Sequence, residues 1–499
     1  MKHLHALWTA CAASLILSAC GGSDSPAPPA PAPAPAPTPA PAPAPAPAVT
    51  DRIEPLDTAG LKQAAATLAE PSPTSRLPAD AVVPQIVLGP FQAPKQAVVA
   101  AKGAPLQIGL ARAVDATAQA PALAAQLRWR RLADGTQVAA LAFSSGGAKA
   151  IRLGLQVLQL PAGAVMRFYG AAGSPAVAWS AEQLAAWQRA NVQGGQSLEA
   201  ARTVWGPDTA GPLSTLELQL PPGATPAELQ LAVPQLSHFT QTVEQAAALA
   251  QDPNIGRAGA CTLDVMCSPQ LDAESRSVAR IVFTEAGSSF LCTGTLLNDA
   301  RGSRTPNFLT AAHCISNADG AASVISYWFF RAASCNASPA LDPAAVQVTG
   351  GARLLFTDSG VDSTLLQLNA QPPANVVYAG SYFGSSVAPG TGIVGVSNPS
   401  GDLQKYSVGN IAGYANCDSS TCAGATVDSG SMWQVGWTQG TTEGGSSGSA
   451  IWTQLGGSTR YVVGALHGGS ASCQNPQGAD FFGRFDRAYY RGIGSWLTR

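Results

Sequence analysis

Charge is scarce in this chain. Asp, Glu, Lys and Arg make up 12% of its 499 residues, and the formal net charge is -2. That leaves no basic excess to bind nucleic acid and no acidic run to serve as a solvating tail. Long apolar helical repeats are missing too, while Gly (51) and Pro (39) are plentiful, a composition of strands joined by turns. Beyond the N-terminus no run is long and apolar enough to span a bilayer. Cysteine is absent from residues 51–255, and that stretch holds one histidine, His238, expected to be structural. After residue 255 there are no paired CxxC knuckles, and the only histidines are His313 and His467. Zinc, other metals and cofactors are therefore not expected.

What is present begins with a targeting segment. Lys2 supplies a positive start, Ala6 to Leu17 is a short and mostly apolar run, and Leu17-Ser18-Ala19-Cys20-Gly21 follows. This resembles the bacterial lipoprotein signal, which implies lipidation of Cys20 and, with Gly21 after it, sorting to the outer membrane. Residues 1–20 read as signal peptide and lipobox, and 21–50 as a linker. Within the linker, Pro26 to Ala48 is nearly pure Pro-Ala alternation. Pro fixes φ and removes donors, so its 23 residues should run as extended polyproline II, about 70 Å long at ~3.1 Å each. The expectation is an exported, lipid-anchored protein held off the membrane by a stiff spacer.

Two folded regions follow. Residues 51–255 start with an Ala-rich stretch to about Ala120 that shows no clear pattern. Then Leu153, Leu155 and Val157 alternate with polar or small residues, as do Leu216, Leu218 and Leu220. Period-two alternation marks half-buried strands. Turn signals stand at 161–163 and 221–223, and a helix is expected near Ala181 to Ala190. The region reads as β-sandwich-like. Residues 256–499 carry eight cysteines, at 261, 267, 292, 314, 335, 417, 422 and 473. An even count in an exported domain indicates disulfides, with 105 possible connectivities.

Three motifs in this second region carry chemistry. Phe308-Leu309-Thr310-Ala311-Ala312-His313-Cys314 ends an apolar strand in a histidine. Asp362 precedes the core-type strand Ser363-Thr364-Leu365-Leu366-Gln367-Leu368. Gly444-Gly445-Ser446-Ser447-Gly448 is a glycine-rich turn that can expose a serine Oγ and aim backbone N–H groups at a developing oxyanion. In the order His313, Asp362, Ser447 they match the template for acyl transfer, with Gly445 and Ser447 as oxyanion donors. Asp358, in Thr-Asp-Ser-Gly, reads instead as a turn residue. An esterase would bring its triad in the order Ser, Asp, His.

With Cys261-Thr262-Leu263-Asp264-Val265-Met266-Cys267, Leu466-His467-Gly468-Gly469 and Gly483-Arg484 added, residues from about 256 on resemble the bacterial lysyl endopeptidases. The resemblance implies a chymotrypsin-like double β-barrel, a mostly β protein overall, and a monomeric serine endopeptidase acting on proteins or peptides. It implies the pairings Cys261–Cys473, Cys267–Cys335 and Cys292–Cys314, leaving Cys417 with Cys422. It also implies Asp480 as the acid that reads a Lys, or an Arg, before the scissile bond, with His467, Gly468 and Gly469 lining the substrate strand. Glu443 is a further candidate for that acid, and Asp480 could instead pair with Arg484. Thr441 stands six residues before Ser447, where trypsins place their acid. Ser446 stands where vertebrate trypsin-like enzymes have the Asp that receives a new N-terminus, so that switch is missing. Asn398 stands where a His would precede Pro399. Residues 51–255 are then expected to be a propeptide ending near Gly256, whose removal would release the protease, with Arg257 close to the junction. Between Gly256 and Arg499 the only Lys is Lys405, against a dozen Arg. The competing reading is a catalytically inactive protease fold serving as a surface binding or adhesion protein.

Overall fold

The computed structural model describes residues 51–61, 71–91, 103–171, 174–240 and 257–498, apart from 339, 386, 419 and 420. Cys20 and the Pro-Ala stretch lie outside the described residues. In the N-terminal region the alternating residues do form strands. Leu213–Leu220 pairs along its whole length with Gln137–Ser145 and, on its other side, with Val165–Tyr169. Opposite this sheet, Ala150–Gln159 lies between Thr203–Ala210 and Gln230–Phe239. Both sheets bury their apolar faces in one core that includes Phe143, Leu153, Leu155, Phe168, Leu216 and Leu218. The turns fall where Pro and Gly placed them: Ala164 N–H donates to Pro161 O and Ala224 N–H to Pro221 O. The helix Ala181–Gln193 starts at Ser180, whose hydroxyl accepts from Gln183 N–H while the Gln183 side chain accepts from Ser180 N–H.

The sandwich is not a separate body. Strand Leu106–Ala113, inside the Ala-rich stretch without a legible pattern, pairs with Gln230–Phe239 on one edge and with Ser288–Leu297 on the other. One sandwich sheet therefore continues into the first barrel as a single eleven-stranded sheet. Gly109 sits at the crossing, where a Cβ would come within 2.5 Å of Ser237 Oγ and 2.8 Å of the Phe239 ring. The junction is also polar. Arg152, fully buried, donates to Gly206 O and across to Thr284 Oγ1 and Ser323 O. Asp208, also fully buried, accepts from the Tyr327 hydroxyl and from Gln347. Burial pulls the Arg152 guanidinium down to about 10 and pushes the Asp208 carboxyl up to about 6. The described residues form one compact unit. The extreme start of this unit is a strap: Arg52–Ile53 pairs with Ser381–Tyr382, Leu56–Asp57 pairs with Val377–Tyr378, and Arg276 grips the Asp57 carboxylate.

The expected double barrel is present after residue 257. A half-barrel is built from Val278–Glu285, Ser288–Leu297, Asn307–Thr310, Ser363–Leu368 and Ala352–Asp358, each pairing with the next. The second barrel closes on itself in the order Gly392–Ser397, Lys405–Cys417, Met432–Gln439, Ala479–Arg484, Arg460–Gly469 and Ala450–Gln454, which returns to the first. The four disulfides are Cys261–Cys473, Cys267–Cys335, Cys292–Cys314 and Cys417–Cys422. No helix among the described residues is long and apolar enough to cross a membrane.

Candidate active site

The site lies between the barrels, and each of its groups arrives at the end of a strand. Strand Asn307–Thr310 buries Phe308 and Leu309 in the core, and the small residues Ala311 and Ala312 let the chain turn before His313. Cys314 N–H donates to Ala311 O, and its disulfide to Cys292 ties the turn to the neighbouring strand. His313 Nδ1 lies 2.7 Å from Asp362 Oδ2, while the His313 backbone N–H donates to Asp362 Oδ1 at 2.8 Å. Asp362 holds φ +41°, a left-handed conformation that costs a non-glycine residue on the order of 1–2 kcal/mol. That turn aims the carboxylate back at the histidine just before strand Ser363–Leu368 begins.

A second imidazole shares the same oxygen. His467 Nδ1 lies 2.6 Å from Asp362 Oδ2, and its ring meets that of His313 edge-on with centroids 5.8 Å apart. Burial alone would raise the Asp362 carboxyl, but the charge and hydrogen bond of His313 and the hydrogen bond of His467 overcome it. The carboxyl is held well below the usual carboxylate range. An ionised Asp362 only accepts, so both Nδ1 atoms donate, and His313 Nε2 remains an acceptor. That nitrogen is buried and has no hydrogen-bond partner among the described residues, Ser447 included. His313, Asp362 and His467 also bring ligand-type atoms within 4.8 Å of one another. The Nδ1 atoms, however, donate to the carboxylate and in that state have no lone pair to offer a cation.

Ser447 stands on a turn that only glycine permits. Gly445 has φ +90° and Gly448 φ +82°. A Cβ at Gly448 would fall 2.2 Å from Thr310 Oγ1, on the strand that delivers His313. Thr293 fixes the turn from the half-barrel: its N–H donates to Ser447 O and its hydroxyl to Gly445 O. The backbone N–H groups of Gly445 and Ser447 donate to nothing among the described residues.

Asp480 is fully buried on strand Ala479–Arg484. Its Oδ2 accepts from Trp437 Nε1 at 2.8 Å and Thr442 Oγ1 at 2.7 Å. Its Oδ1 lies so near Gly469 that a Cβ there would come within 2.5 Å, so the strand carrying His467, Gly468 and Gly469 runs directly over the acid. Arg484, the rival partner of Asp480, turns to Asp486 and to the carbonyls of Val427 and Gly430. Glu443, the other acid considered, accepts from Gly259 N–H and from the Ser400 hydroxyl. Asp358 caps Gly360 N–H and pairs with Arg491. Asn398 donates to Asp402 O, a structural role. His238 is buried against Ser145 Oγ at 2.7 Å and the Phe91 ring. Sequence reasoning missed Trp437 and Thr442 as partners of the acid. Thr442 is adjacent to the position that it did inspect, and Trp437 lies on a strand whose pairing with Ala479–Arg484 the sequence does not show.

A closed barrel and a half-barrel that carry a His–Asp pair and a glycine-framed serine define the class: serine endopeptidases. The chain belongs within it to the lysyl endopeptidase family. The family model for the lysyl endopeptidase C-terminal domain matches residues 255–483, and that for the lysyl endopeptidase N-terminal domain matches residues 83–240. A lysyl endopeptidase of Pseudomonas aeruginosa is 31% identical over 402 residues, which cover 78% of this chain and 80% of the relative. Among solved structures, the HtrA-type protease AlgW with tripeptide aligns with TM-score 0.31 and 16% identity over 46% of this chain and 62% of that one, under two thirds of its length. The MamO protease domain from Magnetospirillum magneticum aligns with TM-score 0.30 and 11% identity over 46% of this chain and 99% of that one.

Proposed function

We propose that this serine endopeptidase cleaves after Lys, and after Arg more slowly, with His313, Asp362 and Ser447 as its triad. Ser447 Oγ attacks the peptide carbonyl as its proton passes to His313 Nε2. Asp362 holds the imidazole in the tautomer that leaves Nε2 free to accept and stabilises the imidazolium. The oxyanion is met by the N–H groups of Gly445 and Ser447, and the protonated His313 gives its proton to the leaving amine. Water then repeats the sequence on the acyl-enzyme. The observation that carries the reading of the chemistry is the Asp362 carboxylate bonded to both the Nδ1 and the backbone N–H of His313.

The specificity rests on Asp480, a buried carboxylate beneath the strand of His467, Gly468 and Gly469. A Lys ammonium entering the pocket would meet this carboxylate in a charge-assisted hydrogen bond. Supporting this, the P. aeruginosa relative bears the name lysyl endopeptidase. We further propose that the protein is exported as a lipoprotein anchored at Cys20, with the Pro-Ala linker as spacer, and that residues 51–255 are a propeptide removed on maturation. The enzyme works as a monomer, without cofactor and without nucleic acid. Incubation with a mixed peptide library, read by mass spectrometry, tests the specificity. Cuts should cluster after Lys, with Arg second, and a profile dominated by Leu or Phe would refute it.

A further inference from the structure

The strap at residues 51–61 precedes the sandwich in sequence but is bonded to the protease region. Among the described residues, every hydrogen bond that leaves the strap goes to a residue between 276 and 461. Besides its two short strand pairings, Phe383 N–H donates to Asp51 O at 2.9 Å, and Thr58 N–H donates to Val376 O at 3.1 Å. Asn298 Nδ2 donates to Glu54 O at 2.9 Å, and the Tyr461 hydroxyl donates to Glu54 Oε2 at 2.8 Å. Arg276 reaches both carboxylate oxygens of Asp57. The match to the lysyl endopeptidase N-terminal domain begins only at residue 83, so the strap lies outside it.

The protease region is shaped to receive it. Ile53 is 4% exposed and joins the core that holds Leu297, Phe383 and Val462, while Leu56 packs on the core that holds Val376 and Tyr378. A Cβ at Gly380 would stand 2.7 Å from Ile53 O, 2.8 Å from Pro55 Cδ and 2.9 Å from Pro55 N, so all three of its nearest neighbours belong to the strap. Ser381–Tyr382 pairs on its other side with Arg460–Gly469, which makes the strap an added edge strand of the second barrel's sheet. A strand added to a sheet edge gains affinity from main-chain bonds and specificity from side-chain pockets. The sandwich is held elsewhere, by Leu106–Ala113 on Ser288–Leu297 and by the Arg152 and Asp208 junction, so the two attachments are separate.

We propose that the strap is a docking segment that stays on the protease region after the chain is cut, and so holds the processed enzyme to the residues that carry Cys20. The occupant of the seat is this chain's own segment, directly after the linker of residues 21–50. Between the strap and strand Leu106–Ala113 stand four basic residues, Lys62, Arg76, Lys95 and Lys102. A cut after any of them, together with one near residue 256, parts the strap from the sandwich. Each cut adds one water across a peptide bond and leaves a carboxylate and an ammonium, and neither cut breaks a bond between the strap and its seat. The proposal rests on the reading above for the cuts and for the anchor, and it narrows that reading: the sandwich departs and the strap remains.

The test uses the full chain with Ser447→Ala, so that it makes no cut of its own. An affinity tag is placed in the linker before Asp51. Foreign cleavage sequences are placed between residues 61 and 71 and between residues 240 and 257. After both are cut, the tag should still capture the protease region in equimolar amount. Ile53→Ala should lower that capture by about 10-fold or more and leave the sandwich as firmly on the protease region as before. Loss of the protease region from the wild-type tag, or undiminished capture by Ile53→Ala, would overturn the proposal. The wild-type capture decides the matter even if the variant does not fold, and it needs neither the lipid nor the natural cuts. In cells, the processed enzyme should sediment with membranes, and Cys20→Ala should free strap and protease together. A soluble wild-type protease that still carries the strap would refute the anchor and support the strap, whereas a soluble one without it would overturn the strap.

Discussion

At Asp362 one carboxylate oxygen serves two imidazoles while the other serves a backbone amide. Removing one donor should be felt without being fatal, whereas removing the nucleophile should be. Ser447→Ala is expected to lower kcat by on the order of 10⁶ with the fold intact. His467→Ala removes one charge-assisted hydrogen bond, about 1.5–3 kcal/mol, and should lower kcat/KM by roughly 10- to 100-fold. Steady-state kinetics on one peptide would separate the two, and a His467→Ala enzyme as dead as Ser447→Ala would mean that His467 does more than hold Asp362. Activity should fall in acid because a protonated His313 cannot accept from Ser447. Asp362, held far below the usual range, should not contribute to that limb. A rate that stays flat from pH 8 to pH 4 would exclude a histidine base. Asp480→Asn should cost about 3–5 kcal/mol, two to four orders of magnitude in kcat/KM, on peptides with Lys before the scissile bond, should also weaken cleavage after Arg, and should spare apolar sites. Equal cutting after Lys by variant and wild type would remove Asp480 from the specificity pocket. The three residues of the proposed triad were legible because each sits in a local pattern: small residues after an apolar strand, an acid before one, glycines around a serine. The double use of Asp362 by His467, and the Trp437 and Thr442 bonds to Asp480, were not, because they join residues that only the barrel's closure brings together.

Strands with one face on a core announce themselves by alternation, and Leu213–Leu220 was readable for that reason. Strand Leu106–Ala113 was not. Leu106, Ile108 and Leu110 do alternate with Gln107, Gly109 and Ala111, but the alternation is set in an Ala-rich stretch that blurs it, and the strands on both its edges come from distant segments. What the sequence does record there is Gly109. Gly109→Val should prevent the close approach to Ser237 and Phe239 and destabilise the unprocessed chain by at least ~1–3 kcal/mol, read as a lower denaturant midpoint. An unchanged midpoint would show that the sheet yields there. The disulfide beside His313 is the other element that local sequence could not assign by itself. Replacing Cys292 and Cys314 by Ala should cost about 2–5 kcal/mol of stability.

Across the whole molecule, the junction between the two regions is a buried polar one, and its acid response can be worked out. Asp208 has its carboxyl raised to about 6 by burial, so folding favours its protonated form. Its contribution to stability is full below its ordinary value near 4 and is lost as pH rises through about 6. His238 is the reverse. Burial first, and then the Arg112 charge, lower it to about 4, so its contribution is full above about 6.5 and is lost as pH falls through about 4. The two oppose each other over one window. Asp208→Asn should make the unprocessed chain lose stability in acid more steeply, and His238→Gln should do the opposite. Denaturation midpoints at pH 4.5 and 7 would show it, and parallel profiles for both variants would contradict the assignment.

All of this assumes that Ser447 is the nucleophile, activated by His313. The most direct measurement is covalent. The processed enzyme is treated with a fluorophosphonate and digested, and the modified residue is located by mass spectrometry. A single adduct on Ser447, absent at matched times from His313→Ala and Asp362→Ala enzymes that keep the wild-type fold by circular dichroism, is the expected result. An adduct on any other residue, or labelling of Ser447 that survives the loss of His313 undiminished, would contradict it.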